Sequence, residues 1–232
     1  IETLRRNGVK ANAPLTLPLA ANAILPPRNA YNQFPVVASL VSAPLKDSLA
    51  VTLKVSHNLY ASTLPNLIAV SRGGSTVDQG LRAERRILKE LGVDENAIAF
   101  GGGAGGERAD HVSARAVVQL LQGMSKREDW PAYKSGLPIL GVDGTLADVV
   151  KPDSLARGKV LAKSGTLVWA DTANDRLIVT SKALAGIMNT KSGTPLYFAM
   201  MVNNVPLPKG VNAGREAKML GKLCEIIYEK GP

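Results

Sequence analysis

The sequence predicts an α+β domain in which helices come first, an antiparallel sheet follows, and a further helix ends the chain. Two observations support this order. Apolar residues recur at helical spacing in the first half, whereas the last third contains short strand-like runs separated by turn residues. The end of the chain returns to helical spacing, with one apolar stripe formed by Met219, Leu220, Leu223, Ile226 and Ile227.

Apolar spacing and capping residues place the helices. The spacing predicts one helix over 45–55 and another over 77–92, which Gly92 closes. A third helix begins at the N-cap Ser113, because a serine there can accept the hydrogen bond of a free backbone N–H. The final helix covers 212–229.

The sheet is predicted from four strand-like runs, each rich in β-branched or large apolar residues and bounded by turn residues. They lie at 159–162, 177–180, 183–188 and 196–202. Since the connections between them are short, the strands are expected to pair in antiparallel order.

Charge and composition exclude several classes of protein. The chain has 28 basic and 19 acidic residues, and its net charge of +9 suits an anionic partner. However, the basic residues of the helix at 77–92 lie beside Glu84 and Glu90, no basic run reaches five residues, and only 4% of residues are aromatic, so nucleic acid is not the expected partner. No apolar run approaches the ~18 residues that a bilayer span needs.

Cysteine and histidine are too scarce for a disulfide or for a zinc centre of the usual kind. Cys224 is the only cysteine, and His57 and His111 are the only histidines. Cys224 lies in an apolar helical stretch, so we expect it to be buried as a small hydrophobic side chain.

A glycine cluster at 101–106 has the composition of a phosphate-binding loop but not its pattern. A Walker loop ends in Gly-Lys-Ser/Thr, whereas Glu107 and Arg108 follow here. The cluster is therefore interpreted as a tight loop that passes close to other backbone.

Three short motifs carry the chemistry of the chain. They are Ser56-His57-Asn58, the segment Gly-Val-Asp-Gly-Thr-Leu at 141–146, and Lys-Ser-Gly-Thr at 163–166. Ser-x-Asn followed by Lys-Ser-Gly or Lys-Thr-Gly is the order found in penicillin-recognising serine enzymes. The nucleophile motif of those enzymes, Ser-x-x-Lys, is absent, because no Ser or Thr among the 232 residues has Lys three positions later.

Each motif also has a structural interpretation that the sequence leaves open. Ser56 can serve as a helix N-cap and Asn58 as a turn residue. His57 is expected at the surface or in packing rather than in catalysis. Asp143 is expected to fix the turn before Gly144 rather than to act as an acid or base.

Lys-Ser-Gly occurs three times, so two occurrences must be coincidental. Lys134 ends a helical stretch where Gly136 can act as C-cap, and Lys191 begins a turn between strand-like runs. Only Lys163 lies inside a strand-like run and follows the Gly-Val-Asp-Gly-Thr-Leu segment.

Four stretches in register resemble the class C low-molecular-mass penicillin-binding proteins, the D-alanyl-D-alanine carboxypeptidase/endopeptidase family. These stretches are 55–61, 108–113, 137–146 and 158–167. The resemblance implies a β-lactamase/transpeptidase-like fold, an antiparallel sheet packed with helices, of which the N-terminal part is not in this chain.

The chain departs from the family pattern in two places. The loop at 102–108 lacks the two serines and the carboxylate that the family has there. The passage at 168–179 is longer than in the family, and we expect a hairpin around Asn174 and Asp175 rather than a flap over the cleft.

The resemblance assigns catalytic roles to Ser56, Asn58 and Lys163. Ser56 would relay a proton to the leaving amine, and Lys163 would supply positive charge and a hydrogen bond to that relay. Asn58 would hold the substrate amide and a neighbouring lysine.

Substrate-binding roles fall on Ser164, Gly165 and Thr166 by the same resemblance. The two hydroxyls would bind the terminal carboxylate, and Gly165 would let the substrate backbone approach the strand. The Thr166 N–H would form half of an oxyanion hole.

The resemblance implies a serine-type D-alanyl-D-alanine carboxypeptidase/endopeptidase that acts on peptidoglycan stem peptides through an acyl-enzyme. The start without Met is read as a processed or truncated product. Residues 1–44 are then a remnant and connector of an upstream region that bears the nucleophile, and 45–232 are the C-terminal portion of the transpeptidase-like domain. Alone, the chain is expected to be inactive.

Two alternatives stay open: an inactive homologue that binds peptidoglycan or a partner, and a related serine β-lactamase or esterase. The expected partners are stem peptides, β-lactams and the upstream N-terminal segment, with no nucleic acid. Peripheral contact with the membrane stays open. The resemblance implies no metal or organic cofactor and a periplasmic or other extracytoplasmic location in the cell envelope.

Overall fold

The computed structural model describes residues 2–10, 28–212 and 214–231, and the chain divides into two compact units, 1–42 and 43–232. The sequence-based division after residue 44 lies close to this boundary. That residues 1–44 are a remnant and connector of an upstream region stays a prediction.

The first unit contains the short helix α1 (Glu2–Arg6) and a 3-10 helix at Arg28–Gln33. Gly8 follows α1 with a left-handed φ of 79°, as expected for a glycine that ends a helix. Within the connector expected in 1–44, residues 11–27 lie outside the described part, and Arg28–Gln33 form the 3-10 helix.

Three helices open the second unit: α2 (Leu45–Val55), α3 (Asn58–Ser71) and α4 (Val77–Glu90). The helix predicted at 45–55 is confirmed. The helix predicted at 77–92 is confirmed as well, but it ends two residues earlier, at Glu90. The backbones of helices α3 and α4 are in contact at Gly80, because a Cβ added to this glycine would lie 1.8 Å from the Pro65 carbonyl oxygen.

A two-stranded ribbon, β1 (Ile98–Ala99) with β2 (His111–Val112), encloses the glycine cluster. The cluster forms the tight loop predicted for it. The Asp110 carboxylate accepts N–H bonds from Gly101 at 2.8 Å, Gly102 at 3.3 Å and Glu107 at 2.8 Å. A Cβ on Gly103 would lie 2.4 Å from a backbone oxygen of α3.

Two further helices precede the sheet: α5 (Ala114–Met124) and α6 (Trp130–Gly136). Ser113 caps α5 as predicted, because its Oγ accepts the Ala116 N–H at 3.1 Å.

The sheet has three antiparallel strands in the order β3 (Val160–Asp171), β4 (Arg176–Asn189) and β5 (Pro195–Pro206). The runs predicted at 177–180 and 183–188 are one strand, which corrects the sequence interpretation. Ser181 and Lys182 between them are paired on both sides of β4, so they continue the strand.

The passage at 168–179 is the predicted hairpin. β3 and β4 extend to the Asp171–Arg176 pair, where the carboxylate of Asp171 accepts from Arg176 Nε at 2.8 Å, and Asp175 takes a left-handed φ of 49°. The register shifts between Leu167 and Val168, so a bulge separates the hairpin from the rest of β3.

The helix α7 (Gly214–Lys230) closes the chain and covers one face of the sheet. The core beneath it is apolar and consists of Leu140, Leu146, Ala156, Val160, Ala162, Leu184, Met188, Phe198, Leu220 and Cys224. Cys224 is fully buried, as predicted, and burial raises the pKa of its thiol to about 12. In the described ranges, no helix is long and apolar enough to cross a bilayer.

Candidate active site

The turn between α2 and α3 presents Ser56 at the surface. Ser56 ends α2 in the left-handed conformation, with φ 59° and ψ 52°, which is uncommon for a residue with a side chain. It is therefore not the N-cap of the next helix, the alternative that the sequence left open. That position belongs to His57, whose Nδ1 accepts the Tyr60 N–H at 3.2 Å, in keeping with a structural role.

Lys163 lies on β3 and reaches the turn that holds Ser56. Its Nζ donates to Ser56 Oγ at 2.9 Å and to the carbonyl oxygen of Ser164. Burial, and then the charge of Lys182, lower the pKa of the Lys163 ammonium below its ordinary value. The second and third motifs therefore meet through one direct side-chain contact.

Asn58 is exposed at the start of α3, so it is the first helical residue rather than a turn residue. Within the described residues, no hydrogen bond joins its side chain to Ser56 or Lys163. Its catalytic role stays a prediction.

The Gly-Val-Asp-Gly-Thr-Leu segment contacts the third motif directly. Thr145 Oγ1 and Ser164 Oγ lie 2.9 Å apart, and either hydroxyl can be the donor. Thr145 was not among the site residues chosen from the sequence, because the contact joins segments whose spacing the motif alone does not define.

Asp143 and Lys54 connect this segment to α2. Lys54 Nζ donates to Asp143 Oδ2 at 2.6 Å and to the Leu137 carbonyl oxygen at 2.7 Å, while Asp143 Oδ1 accepts the Ile139 N–H at 2.8 Å. Asp143 thus holds its loop against the helix that ends at Ser56, which agrees with the structural role expected for it.

We predict that this ion pair contributes stability at neutral pH that is lost in acid. Burial alone would raise the pKa of Asp143, but the hydrogen bonds from Lys54 and Ile139 and the Lys54 charge outweigh it and lower the pKa. A lowered pKa means that the stabilisation is complete above the unfolded value and disappears as the pH falls through the folded value.

The free energy of unfolding in urea, measured between pH 7 and pH 3, checks this prediction. At pH 7 the Asp143→Asn variant should be less stable by about 1 kcal/mol, a value that allows for the partial exposure of the pair. Lys54→Met should remove the same increment, and the double variant should lose little more. Additive losses would contradict a shared ion pair.

Thr166 and Gly165 form the open part of β3. Both are exposed, and a Cβ on Gly165 would meet nothing closer than the Ala183 Cβ at 4.0 Å. Thr166 Oγ1 accepts from Lys182 Nζ at 2.6 Å, across the pair formed by β3 and β4. Lys182 was missed by sequence reasoning, because Ser181-Lys182 was read as a break between strands.

The other two Lys-Ser-Gly triplets lie where the sequence placed them. Lys134 is in the last turn of α6, although the C-cap of that helix is Leu137 and not Gly136 as expected. Lys191 lies in the turn between β4 and β5, where Gly193 has a φ of 91°. Neither triplet is part of β3. In the described ranges, no group of three or more His, Cys, Asp or Glu side chains could hold a metal ion.

Comparison with known proteins connects this geometry to one family. The model of the D-Ala-D-Ala carboxypeptidase 3 (S13) family matches residues 20–222. The D-alanyl-D-alanine carboxypeptidase of Actinomadura sp. (strain R39) is 34% identical over 139 residues, which are 57% of this chain and 26% of that protein. DacB of Haemophilus influenzae is 25% identical over 205 residues, or 86% and 38% of the two chains.

The fold matches a solved structure of penicillin-binding protein 4 (dacB) from Haemophilus influenzae, in complex with a β-lactam. The TM-score is 0.76 at 24% identity, over 98% of this chain and 49% of that one. The α+β, transpeptidase-like fold predicted from the sequence is therefore confirmed. The chain spans about a quarter to two fifths of the length of the two curated relatives. By the match over most of its length, the chain belongs to the D-Ala-D-Ala carboxypeptidase 3 (S13) family.

Proposed function

We propose that this chain supplies the proton relay and the carboxylate-binding subsite of a serine-type D-alanyl-D-alanine carboxypeptidase/endopeptidase. The hydrogen bond of 2.9 Å from Lys163 Nζ to Ser56 Oγ is the observation that carries the proposal. It links two elements 107 positions apart in the chain, and each carries a motif of the family. The substrates are peptidoglycan stem peptides that end in D-alanine, and β-lactams bind in their place.

In the proposed reaction, a serine hydroxyl attacks the carbonyl carbon between the two D-alanines, gives its proton to the lysine of its own Ser-x-x-Lys motif, and forms an acyl-enzyme. The bond to the terminal D-alanine breaks, and its amine nitrogen must gain a proton. An ammonium has donors only, so Ser56 Oγ accepts from Lys163 and its own O–H proton is available for that nitrogen. Lys163 can then return a proton to Ser56 and regain one from the upstream lysine, and water releases the acyl group as a carboxylic acid and restores the serine hydroxyl.

Positive charge and hydroxyl groups support binding of the substrate's terminal carboxylate next to this relay. Ser164 and Thr166 present hydroxyls along β3, and Gly165 between them leaves room for the substrate backbone. Lys163 and Lys182 provide two cations whose mutual repulsion an anionic ligand would relieve. The Thr166 N–H would serve as one oxyanion donor, which is typically worth ~10²–10³ in rate.

We place the nucleophile on an upstream segment of the protein, since none of the 232 residues belongs to a Ser-x-x-Lys motif. Apolar side chains around the Ser56 turn support a docking surface for that segment. Those exposed on α2 and α3 include Val51, Val55, Leu59, Tyr60, Leu67 and Val70. Covering them would remove apolar area from water and bring the nucleophile to the relay.

A catalytically inactive homologue that binds peptidoglycan is the second candidate. The loop at 102–108 favours it, because the loop lacks the serines and carboxylate of the family pattern and its backbone is organised by Asp110 instead. For either candidate the ligand lies outside the cytoplasmic membrane, so we propose an extracytoplasmic location in the cell envelope.

The test uses the protein purified from its native source together with the 232-residue chain produced alone. We expect the native protein to release D-alanine from diacetyl-L-Lys-D-Ala-D-Ala and to be blocked by benzylpenicillin, while the chain alone releases none. Binding of the peptide without release by the native protein would establish the inactive homologue. Neither binding nor release would overturn both.

A further inference from the structure

Lys182 is a buried cation directly beneath the exposed part of the site. It lies in the middle of β4, opposite Thr166, and only 8% of its surface is exposed. Its Nζ donates to Thr166 Oγ1 at 2.6 Å, whereas Thr166 itself is exposed. A charge-assisted hydrogen bond therefore runs from the interior of the sheet to a surface hydroxyl.

This bond determines the direction of the Thr166 hydroxyl proton. Since an ammonium cannot accept a hydrogen bond, Thr166 Oγ1 must be the acceptor. The hydroxyl proton then points away from Lys182, and it is free to be donated to a ligand. Without Lys182, the hydroxyl could rotate and offer a lone pair, which a carboxylate would repel.

Lys182 also belongs to the same depression as the hydroxyls of Thr145 and Ser164. The side chains that line it include those of Thr145, Ser164 and Lys182, with Leu184 from the neighbouring position of the same face. Thr145 and Ser164 are already hydrogen bonded to each other. The hydroxyls of Thr145 and Ser164 line this depression together with the Lys182 cation, to which Thr166 Oγ1 is also bonded, and this set of groups favours an anionic ligand with several acceptor atoms.

We infer that Lys182 is a positioning residue of the carboxylate subsite, which orients the Thr166 hydroxyl toward a peptide with a free C-terminal carboxylate and adds positive charge beneath it. The inference rests on the proposed function for the choice of ligand. It adds to that function a specificity-determining residue on β4, outside the three sequence motifs.

Carboxylate recognition separates this role from a purely structural one. A lysine that only stabilises the sheet would, when replaced, weaken the acid and amide forms of a ligand equally. A lysine that positions Thr166 for a carboxylate affects the acid form alone. The measured quantity is therefore the ratio of the two dissociation constants within each variant, which cancels general loss of stability.

The experiment titrates the ¹⁵N-labelled chain with N-acetyl-D-Ala-D-Ala and with its C-terminal amide, following the backbone amides of Gly165 and Thr166 by NMR. In the wild type we expect the acid to bind at least about tenfold more tightly than the amide. Lys182→Met should remove most of this preference, and Lys182→Arg should retain it. Lys191→Met, which removes the same charge from an exposed turn, is the matched control and should behave as the wild type.

Thr166→Val provides an independent reading, and it keeps the inference testable if Lys182→Met does not fold. It should lose the same preference, and Lys182→Met in the Thr166→Val background should cost nothing further. If the wild type prefers the acid and Lys182→Met prefers it equally, the role of Lys182 is wrong and the subsite stands. If the wild type shows no preference, the carboxylate subsite of the proposed function is wrong as well.

Discussion

Replacing Lys163 by methionine in the native protein is expected to slow acylation by benzylpenicillin by about 10²–10⁴-fold. The side chain is the only one in the described part of the chain that donates to Ser56 Oγ, at 2.9 Å, so its loss removes both the bond and the proton that refills the relay. The rate is measured by stopped-flow quenching or by intact mass against time. Apparent affinity should change less than the rate.

One further variant shows whether proton transfer or positive charge at Lys163 sets the acylation rate, and a second variant is the control. Lys163→Arg keeps the charge but cannot lose a proton near neutral pH, so it should be nearly as slow as the methionine variant. Lys159→Met removes an exposed lysine just before β3 and should leave the rate unchanged. A Lys163→Met protein that is acylated at the wild-type rate would show that Ser56 needs no partner on β3.

Gly144→Ala is expected to destabilise the chain by about 3 kcal/mol or more. Gly144 has a left-handed φ of 58°, and an added Cβ would lie 2.5 Å from the Lys54 carbonyl oxygen and 3.2 Å from Pro138 Cβ. The first contact is with helix backbone, which cannot move aside without shifting the turn at Ser56. Equilibrium unfolding in urea measures the loss.

Gly158→Ala is the matched control for this prediction. Gly158 also has a left-handed φ, 76°, but the nearest atom to an added Cβ is Val142 Cγ2 at 4.0 Å. It therefore reports the conformational cost alone, about 1 kcal/mol. Equal losses in the two variants would contradict the close contact between the Gly144 turn and α2.

Local patterns predicted α2, α4 and α5, but not α3, because the interactions that stabilise those three helices are local. Helix α2 agrees with the spacing of apolar residues at both ends, and Ser113 caps α5 as its side chain suggested. The start of α4 is equally local, with a reciprocal capping box between Thr76 and Gln79.

The strands were harder to predict, because pairing depends on residues far away in the sequence. Ser181 and Lys182 have the composition of a turn, yet hydrogen bonds to both neighbouring strands hold them inside β4. Once β4 is continuous, Lys182 lies opposite Thr166, and a residue dismissed as a connector becomes part of the site. The sequence around Lys182 does not determine which residue of β3 lies opposite it.

Only part of the candidate site was predicted from the sequence, because some of its contacts join residues that are far apart in the chain. The motifs identified Ser56 and Lys163, and the two side chains do meet. The left-handed turn at Ser56 was not predicted, because a serine before His-Asn also fits a helix N-cap. The contacts of Lys54 with Asp143 and of Thr145 with Ser164 depend on how separate loops pack, which the motif order alone does not specify.

Mapping the covalent label after treatment of the native protein with benzylpenicillin tests the central claim most directly. The claim is that these 232 residues provide the relay and the carboxylate subsite, while the acylated serine lies on another segment. Digestion and tandem mass spectrometry should locate the penicilloyl group on a Ser-x-x-Lys serine outside this chain. A label on Ser56, or on any other serine of these 232 residues, would contradict the account.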